Sequence, residues 1–347
     1  MHHKQRNVSM IMLILTLVLV LLVIIGIGIG AVWIPPQEVV ALLKGHLDGS
    51  SASYTGKMLS HDIIIWSIRL PRVLLGAMVG IGLSVAGAIF QGLFRNPMAD
   101  PYVIGVSSGA ALGAVSAILL LGSSGLKYTY GIPVFAFICA VLTIFLVYNL
   151  ARTGGKVPVM TLLLAGIAVN SFLSALQSLA MFYSGDQLHQ VVFWLLGGFS
   201  SRGWDYVWMF IPYALIGTAI AFMYARELNG MLIGEEQAQH LGIDVERVKL
   251  MLLVAAALLI GSCVSVSGLI GFVGLIIPHV VRLIIGPDHR VLLPMVALTG
   301  AIFMVGADMV ARTIIAPEEL PVGVVTALIG GPFFIYLLRK QKSSLYK

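Results

Sequence analysis

The sequence predicts an all-α polytopic membrane protein of about ten transmembrane helices, and three observations predict it. Apolar side chains make up 59% of the 347 residues and charged ones only 10%, against ~45–50% and ~25% in soluble domains. The mean hydropathy is +1.00. Ten separate apolar stretches follow one another along the chain, and a helix of ~20 apolar residues crosses a hydrocarbon core of about 30 Å. The chain is therefore read as one transmembrane domain over residues 1–347, with a single long polar loop at about 226–249. A formal charge of +6 needs no nucleic-acid partner, because membrane proteins collect Lys and Arg on cytoplasmic loops. Cys139 and Cys263 lie inside apolar runs and read as packing residues.

The first run, residues 8–33, is interrupted by little more than Ser9 and Thr16. It outlasts the ~7–15-residue apolar region of a cleaved signal and has no clear small-residue cleavage site behind it, so it is read as a retained helix. The next crossings are expected at 72–94, 103–121, 132–150, 160–183 and 206–225, then at 248–266, 275–285, 292–315 and 322–338. The eighth is short. Pro278 and the preceding Gly268, Gly271 and Gly274 predict a broken or partial helix there, tolerable where protein shields the backbone. Ten crossings put both termini on one side. With that side cytoplasmic, 14 of the 21 Lys and Arg residues fall inside, the bias that sets topology.

Gly76-xxx-Gly80 and Gly105-xxx-Gly109-xxx-Gly113 place small residues along single helix faces, where backbones can approach; tight packing within the chain is expected. Residues 84–89 echo 265–270, and Phe90, Gly92 and Pro97 echo Phe272, Gly274 and Pro278 if Gly271 is skipped. This is read as an internal repeat of the kind transporters carry.

No catalytic constellation is present. His279 and His289 are ten apart and lack the i, i+4 spacing of a zinc helix, and no metal site is assigned. Gly154-Gly155-Lys156 is followed by Val157 and lacks the early glycine of a phosphate-binding loop, so any ATP is hydrolysed by another polypeptide. Asp308 is the one acidic residue deep in a predicted crossing, and Arg312 at i+4 can neutralise it. That scarcity of intramembrane carboxylates weakens an ion-coupled carrier, the alternative reading, and disfavours a membrane-embedded enzyme.

Two polar segments carry information. Within the loop at 226–249, Gly234-Glu-Glu-Gln-Ala-Gln-His-Leu-Gly242 predicts a short helix with acidic residues in its first turn and a glycine to end it. On the opposite side, Arg69-Leu-Pro-Arg72 opens the second crossing, with proline in a first helical turn.

Together with Arg95-Asn-Pro-Met-Ala-Asp-Pro101, Gly105-Val-Ser-Ser-Gly-Ala110, Gly271-Phe-Val-Gly-Leu-Ile-Ile-Pro-His279, Asp288-His-Arg290, Leu292-Leu-Pro294 and Glu319-Leu-Pro-Val-Gly323, this pattern resembles the cobalamin and iron-siderophore (FecCD-type) permease family of type II ABC importers. The likeness runs in order over about 34–338. It implies a permease subunit importing an iron chelate (siderophore or haem) or cobalamin through the cell membrane of a bacterium or archaeon. The expected partners are a second permease copy or paralogue, a cytoplasmic ABC ATPase dimer that uses ATP and Mg, and an extracellular or periplasmic substrate-binding protein. The chain itself is expected to hold no cofactor. The resemblance further implies that Arg69, Arg72 and Arg312 face outward to dock the binding protein. It assigns Gly234, Glu235, Ala238, Leu241 and Gly242 to ATPase coupling, and places Val159 and Met160 at an apolar cytoplasmic gate. Arg95 to Pro101 and Pro278-His279 are expected to be architectural.

Overall fold

A computed structural model describes residues 2–30, 32–49, 51, 54–121 and 126–345. Ala31 and Lys347, and the side chains of His2, His3, Lys4, Arg6, Lys127, Lys340 and Lys342, lie outside the described residues. Among those described, eight helices are long and apolar enough to cross a membrane, and two shorter apolar helices occupy the third and eighth predicted crossings. All ten predicted segments are therefore helical.

α1 (His2–Gly28) exposes Leu13, Ile14, Leu17 and Leu21, as a helix that meets lipid must. α2 (Pro36–Asp48) is an additional helix, amphipathic instead of apolar, that buries Val39 and Leu42 and ends on Gly49 in the left-handed region. It lies over α3 (Gly56–Asp62), to which it is tied by His61–Glu38 at 2.6 Å and His46–Asp62 at 2.8 Å. These elements share a satellite core of Ile27, Ile34, Val39, Leu42 and Ile65.

α3 does not stop. It continues through a π-helical stretch, Ile63–Arg69, into α4 (Leu70–Leu93). The expectation that Pro71 opens the second crossing is thus corrected: the helix begins 15 residues earlier, at Gly56. Proline inside an α-helix lacks a donor and clashes with the carbonyl one turn back; the wider π turn just ahead of it relieves both demands.

α5 (Val106–Leu121) packs on α6 (Leu126–Ala151), with Gly109 against Thr143 and Gly113 against Cys139. The small-residue face serves packing within the chain, as expected. α7 (Val159–Phe182) is among the least covered crossings and is followed by the short α8 (Leu188–Leu196). Then come α9 (Trp204–Met223), α10 (Ala225–Met231) and α11 (Glu235–His240). α12 (Val245–Ser267), α13 (Val273–Ile285), α14 (His289–Thr313) and α15 (Val322–Leu345) complete the bundle.

α4 and α12 form its buried centre, with α6, α9, α13 and α14 packed around them. The sequence echo is not a repeat of local structure. Residues 84–92 are uninterrupted helix, whereas 265–274 cross a helix end, the irregular stretch 268–272 and a new helix start. Gly268 and Phe272, both at φ 69°, make that break.

Candidate functional site

One end of the bundle gathers the three arginines. Arg72 donates through Nε and Nη2 to Asp308 Oδ1 at 3.0 and 2.9 Å, and through Nη1 to both Glu319 oxygens at 3.0 and 2.8 Å. Arg312 Nε lies 3.0 Å from Asp308 Oδ2. The remaining Arg312 donors reach the Gly26 and Ile29 carbonyls, and Arg69 reaches those of Ile27, Gly28 and Val32. These carbonyls close and follow α1, whose last turn leaves acceptors unfilled and carries negative partial charge. Two guanidinium groups therefore cap α1, and two neutralise Asp308.

The side chains expected to face outward are 5–7% exposed. Within the single chain most of their donors already have internal partners. Glu319 is the more open member. Burial alone would raise its carboxyl, but the Ser200 hydroxyl, with Arg72 and Arg312, outweighs burial and holds it below the usual carboxylate range. Beside it lies a cleft of about 590 Å³ lined in part by Trp194, Ser200, Arg202, Tyr206 and Ser267. The Arg202 guanidinium stacks 4.4 Å over the Tyr206 ring. Arg202 was not singled out from the sequence as a site residue; only its cationic character in a polar loop could have signalled it.

The other end carries the predicted short helix, and α11 forms as expected. Gly234 precedes it at φ 145° and Gly242 follows at φ 81°, backbone conformations that side chains with a Cβ resist. The five residues assigned to coupling divide. Gly234 and Ala238 are buried, and Glu235 is turned to Lys249 at 2.6 Å. Leu241, 68% exposed, and Gly242 lie open. Ala238 packs into the chain's own core and so positions the helix.

α10, just before, is fixed by Asn229. Its amide donates to Asp288 Oδ1 at 2.7 Å, and its oxygen accepts the His289 N–H at 2.8 Å. Asp288 caps α14. The Arg290 guanidinium, against a smaller opposing effect of burial and aided by Asn229, holds the Asp288 carboxyl at about 2. A depressed carboxyl stabilises the fold above its ordinary value and loses that contribution only as pH falls towards the folded one, so this cap is intact throughout the neutral range.

Val159 and Met160 begin α7 directly after Pro158. Met160 is 69% exposed, and Val159 borders a small crevice with Leu93, Phe94 and Leu253. A groove of about 430 Å³ between this turn and α11 is lined by Arg95, Lys156, Pro158, Glu235, Glu236 and Lys249, among others. The turns at Arg95–Pro101 are architectural, as expected: Asn96 and Asp100 accept the N–H groups of Met98 and Tyr102.

A multi-pass helical bundle, neutralised at one end and presenting a glycine-bounded polar helix at the other, has the plan of a permease. The FecCD transport family matches residues 17–340, and the chain belongs to it. It is 49% identical over 281 residues to a cobalamin import system permease protein of Halobacterium salinarum, covering 81% of this chain and 74% of that one. Identity is 44% over 282 residues to a hemin transport system permease protein of Yersinia pestis, covering 80% and 84%. A solved structure described as an inward-facing conformation of a metal-chelate type ABC transporter superposes with a TM-score of 0.82 at 32% identity, covering 96% of this chain and 99% of the other.

Proposed function

We infer that the chain is the permease subunit of an ABC importer that carries a cobalamin, haem or other iron-chelate cargo into the cytoplasm. The observation that carries this reading is α11: a rigid, glycine-bounded helix with an exposed apolar Leu241, set at the end of an otherwise lipid-soluble bundle. Such a helix suits a cleft on a soluble partner, and relatives described as import permeases support a cytoplasmic ATPase as that partner. The α11 end and both termini are then cytoplasmic, in agreement with the lysine and arginine bias. The Glu319 cleft is then outer and meets the substrate-binding protein, with Glu319, Asp205 and Arg202 among the accessible charges beside it. α7, largely uncovered in the single chain, faces a second permease copy across the pathway. Ser171, Ser174 and Ser178 run along it, and Ser171 and Ser178 donate to the carbonyls one turn back. ATP acts by binding the inward- and outward-open states differently.

The test is uptake of cyanocobalamin, haemin or ferric citrate into vesicles that hold the permease, its ATPase and its binding protein. Uptake should require ATP and survive collapse of ion gradients; uptake driven by a gradient without the ATPase would overturn the reading. Leu241→Asp should weaken copurification of the ATPase. Loss of an apolar anchor at a desolvated interface costs about 2 kcal/mol or more, about thirtyfold in affinity. Unchanged copurification would remove α11 from the interface.

A further inference from the structure

The inner network contains a lysine that family resemblance did not single out. Lys249, on the first turns of α12, has a side chain 5% exposed. An ammonium has three protons to donate, and here three acceptors receive them. Nζ reaches Glu235 Oε2 at 2.6 Å, Glu246 Oε1 at 3.2 Å and the Val157 carbonyl at 3.0 Å. Glu246 in turn accepts the Val157 N–H through its other oxygen at 3.0 Å. Both backbone polar groups of Val157 are thus held from α12, and Pro158 then starts α7. Among the described residues, Lys249 is the one side chain whose hydrogen bonds join α11 to this turn.

We propose that Lys249 is the joint through which movement of α11 re-aims α7: a positioning residue that links the partner-contacting helix to the gate turn at Val157, Val159 and Met160. This rests on the importer reading. The geometry favours transmission over a merely decorative ion pair for two reasons. Exposed pairs are weak and loose, whereas this ammonium is 5% exposed and one of its three acceptors is a backbone carbonyl, so it is costly to leave without partners. The linked parts also differ in kind. α12 is the packed central helix, while α11 is a six-residue helix standing on it and α7 is sparsely covered. A displacement imposed on α11 passes to the Val157 turn because both are anchored on one atom, Nζ.

The experiment measures cargo imported per ATP hydrolysed in vesicles holding the full transporter, with whichever of cyanocobalamin, haemin or ferric citrate the wild type imports. Lys249→Met breaks the joint; Glu235→Ala removes the acceptor on α11 and leaves Lys249 paired with Glu246 and Val157, so it reports even if the first variant folds poorly. Coupling energies between sites correspond to 5–150-fold, and Glu235→Ala should lower the ratio about tenfold. Lys249→Arg should restore most of what Lys249→Met loses, which a purely steric role would not predict. A ratio unchanged in Glu235→Ala, or uptake and hydrolysis falling in proportion, would overturn the proposal. Wild-type vesicles that import none of the three probes under ATP would overturn the importer reading and this inference with it.

Discussion

Asp308→Asn should destabilise the protein by about 3–5 kcal/mol, the cost of removing one partner from a buried ion pair. Asp308 is 1% exposed and is shared by Arg72 and Arg312. An asparagine leaves two guanidinium groups close together, both buried, without the carboxylate that neutralises them. Glu319→Gln should cost far less, about 1 kcal/mol or below, because that side chain is 36% exposed and water can replace the lost charge. Thermal and denaturant midpoints of the purified protein in detergent would rank the two. Combining Arg72→Met with Asp308→Asn should cost less than the two single changes together, since interacting residues show coupling energies of about 0.5–3 kcal/mol. Additive costs, or an Asp308→Asn midpoint equal to wild type, would mean that the cluster is solvated. The same geometry changes what charge reversal of Arg72 reports. A glutamate there would face Asp308 and Glu319, so folding has to be measured before any loss of uptake is ascribed to docking.

Most crossings were legible because each is a run of some 20 apolar residues, a signal carried within one segment; the third and eighth are shorter but equally apolar. α11 was legible for the opposite reason: a polar, glycine-bounded run stands out in an apolar chain. α2 was hidden because its 13 residues are amphipathic and resemble a loop in hydropathy. The π turn before Pro71 was hidden because proline in a first turn and proline after a π turn look alike in sequence. What the sequence could not carry was pairing across distance. Arg72 meets Asp308 and Glu319 at separations of 236 and 247 residues, and Lys249 meets Val157 at a separation of 92. An arginine beside a proline at a membrane boundary reads as exposed until the carboxylate from another helix is placed against it. The Asp308–Arg312 pair, one helical turn apart, could be seen locally, and it was, whereas the equally local Glu246–Lys249 and Asp288–Arg290 pairs were not singled out.

Gly87→Ala should cost about 3 kcal/mol or more, above the usual range for one added methyl group, because the obstacle is backbone. A Cβ on Gly87 would overlap the carbonyl oxygen of Gly274, where α4 crosses α13. Overpacking typically costs about 1–3 kcal/mol when side chains can shift. Here no rotamer change can clear the space, so the two helices would have to move apart along the buried centre of the bundle. Gly80→Ala should behave alike, since its Cβ would strike the Gly300 carbonyl, and a Cβ on Gly300 would strike Gly80 in return. Two other glycines separate packing from helix propensity. At Gly76 the nearest atom to a Cβ is a Phe199 ring carbon at 3.5 Å, and at Gly331 nothing lies within 4 Å. Alanine at either should be neutral or gain up to ~1 kcal/mol from better helix propensity. The yield of monodisperse protein after detergent extraction, with its thermal midpoint, tests all four. Equal behaviour of Gly87→Ala and Gly76→Ala would show that α4 and α13 are not in backbone contact, and that the heavy use of glycine in this chain has another cause.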